Sequence, residues 1–514
     1  MRHCSCRCPF HLLLLYCTIM RLWIALYLSR LPLEVFCPNW SNDIGTVVLE
    51  QERVLAVSPL AHAAGVQVGM RRGGVLMLMP EARLVERDLG QEAEALHAVA
   101  MALLQYTPLV AQGEESTLLL DIGASLRLFG GIRALCRQVR ADLRTLGFTG
   151  ALSCAPTARG AWMLARRNGR HGRVVKMASL VRRLDRLPSA LAPPARPFAA
   201  WFEGIGCFNV GDMRRLPRPG LQRRCGRPLL DMLDAAYGMT PELFEWIAAP
   251  TTFHAKLELF DRVESADALL YAAQRLLLQL TGWLCARQLA VERITFYLEH
   301  ERGKVARAPT LVDIALAEAT WRDEHLVRLL KERLAKLELE APVIGLALEA
   351  LQVQPMAPPS ASLFPEPGGS EEDRVRMFEL LVARLGPENV LQAVPQADYR
   401  PELANIWVPV QHTIRASRRA AQMPDDVHSF PRPTWLLAKP IALLMRNDRP
   451  FYGSPLRMAS TPERIEAGWW SQMQTRDYFI AQGLDHTLYW VYRERIVGSY
   501  ADGDPRWFLH GLFA

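Results

Sequence analysis

The apolar positions of this chain change their period along its length, and each change marks an element. Residues 22–28 form an almost continuous apolar run of strand length, whereas 93–104 repeat apolar residues at helical spacing. Residues 117–121 and 126–129 read as strands around Gly123, and 132–146 as a helix that ends at Gly147. A strand at 151–154 and a helix at 158–166 complete an alternation that predicts a layered α/β domain. Pro188, Pro193, Pro194 and Pro197 break it.

Beyond the break, Phe202-Glu203-Gly204-Ile205-Gly206-Cys207 opens a short helical region that carries Arg214, Arg215, Arg218, Arg223, Arg224 and Arg227. A Gly-x-Gly turn between helices exposes backbone N–H groups to a phosphate, and arginines add attraction at longer range. Gly204, Gly206 and the six arginines are therefore candidate DNA-backbone contacts. The competing reading is a plain capping turn beside a solvated basic face. From 253 to 353 the pattern is clean: an alternating strand at 253–259, a helix at 268–289, strands at 293–300 and 310–316, a helix at 324–337 and a strand at 342–353. The order βαββαβ predicts a split arrangement. Residues 354–370, rich in Pro, Ser and Gly, read as an exposed linker that holds Ser360-Ala361-Ser362-Leu363-Phe364. A helix at 371–385 precedes a tail with Trp435, Trp469, Trp470, Trp490 and Trp507, which predicts a compact β-rich module.

At 514 residues, half of them apolar and 22% charged, the chain is an ordinary globular mixture of three or four domains. Collagen-like, disordered and disulfide-scaffold classes are excluded. The net charge of +7 is unevenly spread, because residues 159–227 hold 16 Lys or Arg against three acids and the remainder is slightly acidic. One basic segment in such a chain predicts a polyanion-binding surface. Cys4, Cys6, Cys8 and Cys17 precede Met20, and the other six cysteines show no metal-type spacing, so a reduced cytoplasmic protein without a metal site is expected. The apolar run at 10–19 resembles a signal peptide, but Arg21 interrupts it; residues 1–19 are read as a non-native extension ahead of a start at Met20.

The order of parts now resembles a known superfamily. Trp23-Ile24-Ala25-Leu26-Tyr27-Leu28 with Glu34-Val35-Phe36, then Ala64-Gly65-Val66 with Gly69-Met70, then the run from Leu120-Asp121-Ile122-Gly123 to Phe129-Gly130-Gly131, is similar to the Y-family translesion DNA polymerases. The ending, with Pro462-Glu463-Arg464-Ile465-Glu466, Gly468-Trp469-Trp470, Arg476-Asp477-Tyr478 and the run Trp507 to Phe513, resembles the ImuB family within that superfamily. The resemblance implies an α+β multidomain right hand: palm and fingers at 20–189 (fingers about 37–91), a helix-hairpin-helix thumb at 190–250, a βαββαβ little finger at 251–353, the linker at 354–370 and a C-terminal module at 371–514.

The departures from the active family carry the functional expectation. Nucleotide addition needs several carboxylates to hold two Mg²⁺ ions. With Glu34 as anchor, the first metal-binding Asp falls at Ala25, and the Asp-Glu pair of the third motif falls at Ile122 and Gly123. The fingers Tyr and Arg fall at Pro59 and His62, and a phosphate-meeting Lys at Ala158 or Trp162. The resemblance thus implies no catalytic residues, no metal and no cofactor. It implies a non-catalytic DNA-binding adaptor in error-prone synthesis and the SOS response, partnered by damaged or primed DNA, the β sliding clamp, an ImuA-like protein and a DnaE-type error-prone polymerase subunit. Clamp-binding peptides of bacterial type end in a Leu-Phe-like pair and usually begin with Gln; Leu363 and Phe364 match, with Ser360 at the Gln position. The alternatives are a divergent but active Y-family polymerase and an unrelated helix-hairpin-helix module.

Overall fold

The computed structural model describes residues 21–39, 41–167, 172–301, 307–356, 371–396, 398–410, 431–468, 474–495 and 506–513. Residues 1–19, the candidate motif Leu363-Phe364 and the pair Trp469-Trp470 lie outside them. The chain forms two compact units, Met1–Pro367 and Gly368–Ala514.

The first unit opens with β1 (Trp23–Tyr27) and the single turn α1 (Leu31–Glu34). A small sheet follows from β2 (Thr46–Glu50), β3 (Arg53–Val57) and β4 (Arg83–Glu86), with α2 (Pro59–Ala63) and α3 (Arg72–Leu78) between the last two strands. Helix α4 (Leu89–Leu103) starts where the Asp88 carboxylate accepts the N–H groups of Gly90 and Gln91. It leads into the hairpin β5 (Val110–Gly113) and β6 (Thr117–Asp121), then α5 (Ile132–Thr145), β7 (Ala151–Ala155), α6 (Ala158–Ala165) and β8 (Gly172–Arg173). These build a five-stranded sheet ordered β5-β6-β1-β7-β8. Side chains alternate across a strand, so β1 divides its residues between two cores. Ile24 and Leu26 join residues of α4 and α5, whereas Trp23 and Ala25 join Ala158, Trp162 and other residues of α6.

Residues 126–129, predicted as a strand, form turns instead. Phe129 donates to the Ser125 carbonyl and Gly131 to that of Leu126, so these groups are spent on local turns and not on a ladder.

Helices α7 (Met177–Leu184), α8 (Ala199–Gly204), α9 (Val210–Arg215), α10 (Arg218–Cys225) and α11 (Arg227–Ala236) share the α6 core through Leu180, Phe202, Met213, Leu221 and Leu233. The stretch that follows holds β9 (His254–Val263), α12 (Ala266–Arg287), β10 (Leu289–His300), β11 (Thr310–Thr320), α13 (Asp323–Leu334) and β12 (Val343–Pro355). Its sheet order is β11-β10-β12-β9, so β12 separates β9 from β10, the two strands joined by α12. That is the split form of the βαβ unit. Leu278 of α12 enters the core shared by α4 and α5.

In the second unit, α14 (Glu371–Leu385) precedes a two-stranded sheet of β13 (Leu391–Pro395) and β14 (Asn405–Pro409). An eight-stranded sheet then combines β15 (Trp435–Arg446), β16 (Arg449–Tyr452), β17 (Ser454–Pro455), β18 (Arg457–Met458), β19 (Glu463–Ala467), β20 (Gln474–Gln482), β21 (Leu488–Glu494) and β22 (Trp507–Leu512). Of the tryptophans, Trp490 is core, stacked on Tyr478 with centroids 4.1 Å apart, while Trp435 is 69% exposed.

Candidate functional site

Strand register decides what surrounds Ala25. It stands opposite Leu119 on β6 and Ser153 on β7, and its side chain is fully buried. The rows on either side, on the same face, are Trp23 with Asp121 and Ala155, and Tyr27 with Thr117 and Ala151. Of these nine side chains one is a carboxylate, Asp121, whose Oδ1 accepts the N–H of Gly123 at 3.1 Å.

In this register Ile122 falls off the Ala25 face. Ile122 donates its N–H to the Leu22 carbonyl and buries its side chain in the core on the opposite face, with Gly123 in the turn beyond. A side chain at 122 cannot converge with one at 25, because β-strand neighbours point to opposite faces. Glu34 is equally remote from metal chemistry. Its carboxylate is buried and accepts both the N–H of Thr149, at 2.8 Å, and the Thr149 hydroxyl. Burial pushes its pKa up, against those two hydrogen bonds.

Sequence reading missed the charged cluster at the β5–β6 turn. Glu114 meets Arg159 at 3.1 Å, and Glu115 pairs with Arg196 at 2.8 Å and with Arg166. The Arg166 guanidinium lies over the rings of Tyr27 and Trp162, 4.8 and 4.7 Å from their centroids, and burial lowers its pKa. Three guanidiniums therefore neutralise the two acids at this edge of the face. The visible signal was an acidic pair in a hairpin turn followed by Arg159 and Arg166 seven residues apart, two turns along α6 and its C-cap.

A Mg²⁺ pair does not fit this constellation. It demands several oxygen ligands in near-octahedral array, whereas the face offers one carboxylate and, at its edge, a guanidinium. Among the described residues no group of three His, Cys, Asp or Glu side chains is placed to hold a metal ion. At the positions to which the resemblance assigns the fingers and phosphate contacts, Pro59 starts α2, His62 is exposed on it, and Ala158 and Trp162 are buried, with Trp162 Nε1 donating to the Glu114 carbonyl at 3.1 Å.

The candidate DNA contacts gather around the α8–α9 turn. Gly206 has φ of +72°, and neither it nor Gly204 has any atom within 4 Å of a built Cβ, so the turn is open to close approach. Its N–H groups are not open. Those of Ile205, Gly206 and Cys207 donate to the carbonyls of Trp201, Glu203 and Phe202, and those of Val210 and Gly211 to Leu187 and Asp185. Asn209 donates to the Asp212 carboxylate in a capping box. The N–H cradle expected from Gly-x-Gly is thus closed by the fold's own acceptors.

The arginines divide into two groups. Arg215 pairs with Asp212, Arg218 with Asp234 at 2.6 Å, and Arg227 with Asp231, while Arg214 lies 3.9 Å from Asp185 and over the Tyr237 ring. Arg223 and Arg224 form no ion pair among the described residues; both are exposed, Arg223 Nε donates to the Pro219 carbonyl, and Arg224 lies 5.5 Å from the Trp201 ring of α8. Counting charge only to residue 227 omitted Asp231 and Asp234, which offset part of the surplus.

Among the described residues, no helix is long and apolar enough to cross a membrane. Their six cysteines are free thiols, with Cys136 and Cys154 Sγ atoms 3.5 Å apart.

Comparison with known proteins locates this architecture. The model of the impB/mucB/samB family (IMS) matches residues 36–166, a span that begins after α1 and runs through the acidic turn to the end of α6. Over 463 residues the chain is 26% identical to Protein ImuB of Caulobacter vibrioides strain NA1000 / CB15N, covering 87% of this chain and all of that protein. Protein ImuB of strain ATCC 19089 / CIP 103742 / CB 15 of the same species matches equally, at 26% over 87% and 100%. A solved structure, "Dbh Ternary Complex (substrates partially disordered)", is 15% identical at a TM-score of 0.37 and covers 65% of this chain and 100% of that one. The chain is an ImuB-like relative of the Y-family polymerases, a mixed α/β protein with a Y-family polymerase-like domain and additional C-terminal β-rich sheets.

Proposed function

We propose that this protein is a non-catalytic DNA-binding adaptor in error-prone translesion synthesis and damage-induced mutagenesis. It brings a DnaE-type error-prone polymerase subunit to DNA held by the β sliding clamp, with an ImuA-like protein as a further partner. In this reading the five-stranded sheet is the palm, the β2–β4 sheet the fingers, the α8–α11 helices the thumb and the βαββαβ unit the little finger.

One observation carries the reading: the face around Ala25 has a single carboxylate among nine side chains, and that carboxylate is engaged with Gly123. Metal-assisted phosphoryl chemistry has no ligand set there. Similarity to ImuB along 87% of the chain supports the mutagenesis-associated role. The clamp contact is assigned to Leu363 and Phe364, outside the described residues.

The DNA-binding half of the proposal rests on Arg223 and Arg224, with Gly204 and Gly206 permitting close approach and the paired Arg214, Arg215, Arg218 and Arg227 contributing less. Arg223→Ala with Arg224→Ala should weaken duplex binding for all sequences alike and lower the log–log salt slope by about two, since each neutralised phosphate contributes about 0.9. Arg215→Ala, whose guanidinium is already paired with Asp212, should change the slope by less. A salt titration by fluorescence anisotropy reads both. Unchanged affinity in the double variant would move the DNA surface elsewhere, with the βαββαβ unit next in line. Stable binding of primer–template DNA by the unaltered chain, without extension, is the outcome that joins the two halves.

A further inference from the structure

In the second unit a different set of arginines is held ready for phosphate. Asp477 on β20 is 2% exposed, and three guanidiniums converge on its carboxylate. Arg464 Nε donates to Oδ1 at 3.0 Å, while Arg493 Nη2 and Arg495 Nε donate to Oδ2 at 3.1 and 2.9 Å. The register explains the convergence: Arg464 on β19 and Arg493 on β21 stand directly opposite Asp477 from its two sides, and the Arg495 N–H bonds the Thr475 carbonyl. Burial pulls the Asp477 carboxyl upward, but the hydrogen bonds and charges of the three arginines outweigh it and hold its pKa below the ordinary carboxylate range.

The carboxylate is saturated and the arginines are not. Each guanidinium uses one nitrogen on Asp477 and retains further N–H donors. Their side chains are 51%, 36% and 46% exposed, so the unused donors reach solvent. Glu466, two residues further along β19 on the same face, leaves the group with a positive surplus. The row continues across the sheet from Arg493 to its register partner Trp507, a half-buried indole with the Arg493 guanidinium 6.0 Å from its centroid. Guanidiniums pre-positioned by a buried anion, beside an indole that packs on Phe479 and is partly exposed, match a single nucleic-acid strand: phosphates on the forks and a base against the exposed part of the ring.

We infer that Arg464, Arg493 and Arg495, with Trp507 beside them, form a second nucleic-acid contact in the C-terminal unit that takes the phosphates of single-stranded DNA. The contact is independent of the α8–α11 surface and of the absence of catalysis. An acidic protein segment would satisfy the guanidiniums but make no use of the part of the Trp507 indole that reaches solvent, which favours the nucleic acid.

The test uses the full chain and a fluorescent 20-mer of thymidylate in an anisotropy titration across salt. Arg464→Gln, Arg493→Gln and Arg495→Gln together should lower affinity at least about tenfold and reduce the salt slope by about two, at about 0.7 per single-strand phosphate. Because that variant strands a buried carboxylate, Asp477→Asn is the companion. It keeps the three arginines and removes the competing charge, so affinity should rise at least about threefold. An architectural ion cluster predicts no change or a loss in Asp477→Asn. Unchanged binding in the triple variant, or unchanged or weaker binding in Asp477→Asn, overturns the inference. So does displacement by poly-glutamate as effective as that by unlabelled thymidylate, which would point to an acidic protein segment. Arg223→Ala with Arg224→Ala, run in parallel on duplex DNA, reports on the other surface, so failure of one assignment leaves the other readable.

Discussion

Gly282→Leu is expected to cost the first unit about 3 kcal/mol or more, the upper range for overpacking, because the new side chain meets backbone instead of a yielding side chain. A Cβ at Gly282 would stand 1.9 Å from the Met101 carbonyl oxygen and 2.9 Å from its carbon. That carbonyl belongs to α4 and accepts the Leu104 N–H, so it cannot turn away without opening the end of the helix. The seam beside it is closely made: Arg275 Nε donates to the Thr145 carbonyl at 3.0 Å, Trp283 Nε1 to that of Pro250 at 2.8 Å, and Leu278 lies in the core with Leu96 and Val99. Gly220→Ala on α10 is the control, since a Cβ there meets nothing within 4 Å and alanine favours a helix interior by up to about 1 kcal/mol. Thermal unfolding followed by circular dichroism should show a clear drop for the first variant and none for the second. An unchanged midpoint in Gly282→Leu would mean that α12 and α4 do not approach this closely.

That seam also shows which parts of the fold the sequence could disclose. Strand β6 and helix α14 have the bounds that apolar period alone predicts, because a buried strand and an amphipathic helix each satisfy their cores with local spacing. The small sheet at 46–86 escaped detection, and two of its three strands, β3 and β4, have few buried positions to set a pattern. The site was less legible than the fold. Ala25 could be read as lacking a carboxylate, but its neighbours are set by strand register, which placed Leu119 and Ser153 beside it and sent Ile122 to the other face. The guanidinium cluster on Glu114 and Glu115 joins residues from a hairpin turn, α6 and the stretch before α8, and no linear spacing encodes that meeting. Charge counting failed similarly at the arginine helices, where Asp234 reaches back 16 residues to Arg218.

Leu363→Ala with Leu363's neighbour changed likewise, Phe364→Ala, is expected to abolish association with the β sliding clamp. A short apolar motif binds near micromolar, roughly −8 kcal/mol, and its affinity resides in a few side chains that fill a pocket. Removing two such anchors should weaken binding by at least about a hundredfold, beyond recovery in a pull-down. Tethering at a DNA-bound clamp raises the effective concentration and offsets part of the loss, so free solution is where the double change should read most clearly. Affinity for DNA should be unaltered, because the pair includes none of the arginines assigned to DNA. Clamp capture indifferent to the double change would remove the assignment and direct the search beyond residue 371.

A polymerase-like body without polymerase chemistry should bind primer–template DNA and leave the primer unextended. Purified protein, shown by anisotropy to bind the same primer–template, is incubated with all four deoxynucleoside triphosphates and Mg²⁺ or Mn²⁺. The account predicts no extension with either ion, because the face around Ala25 supplies one carboxylate where the chemistry needs several. Nucleotide incorporation that follows the protein through purification and disappears in Asp121→Asn would contradict it.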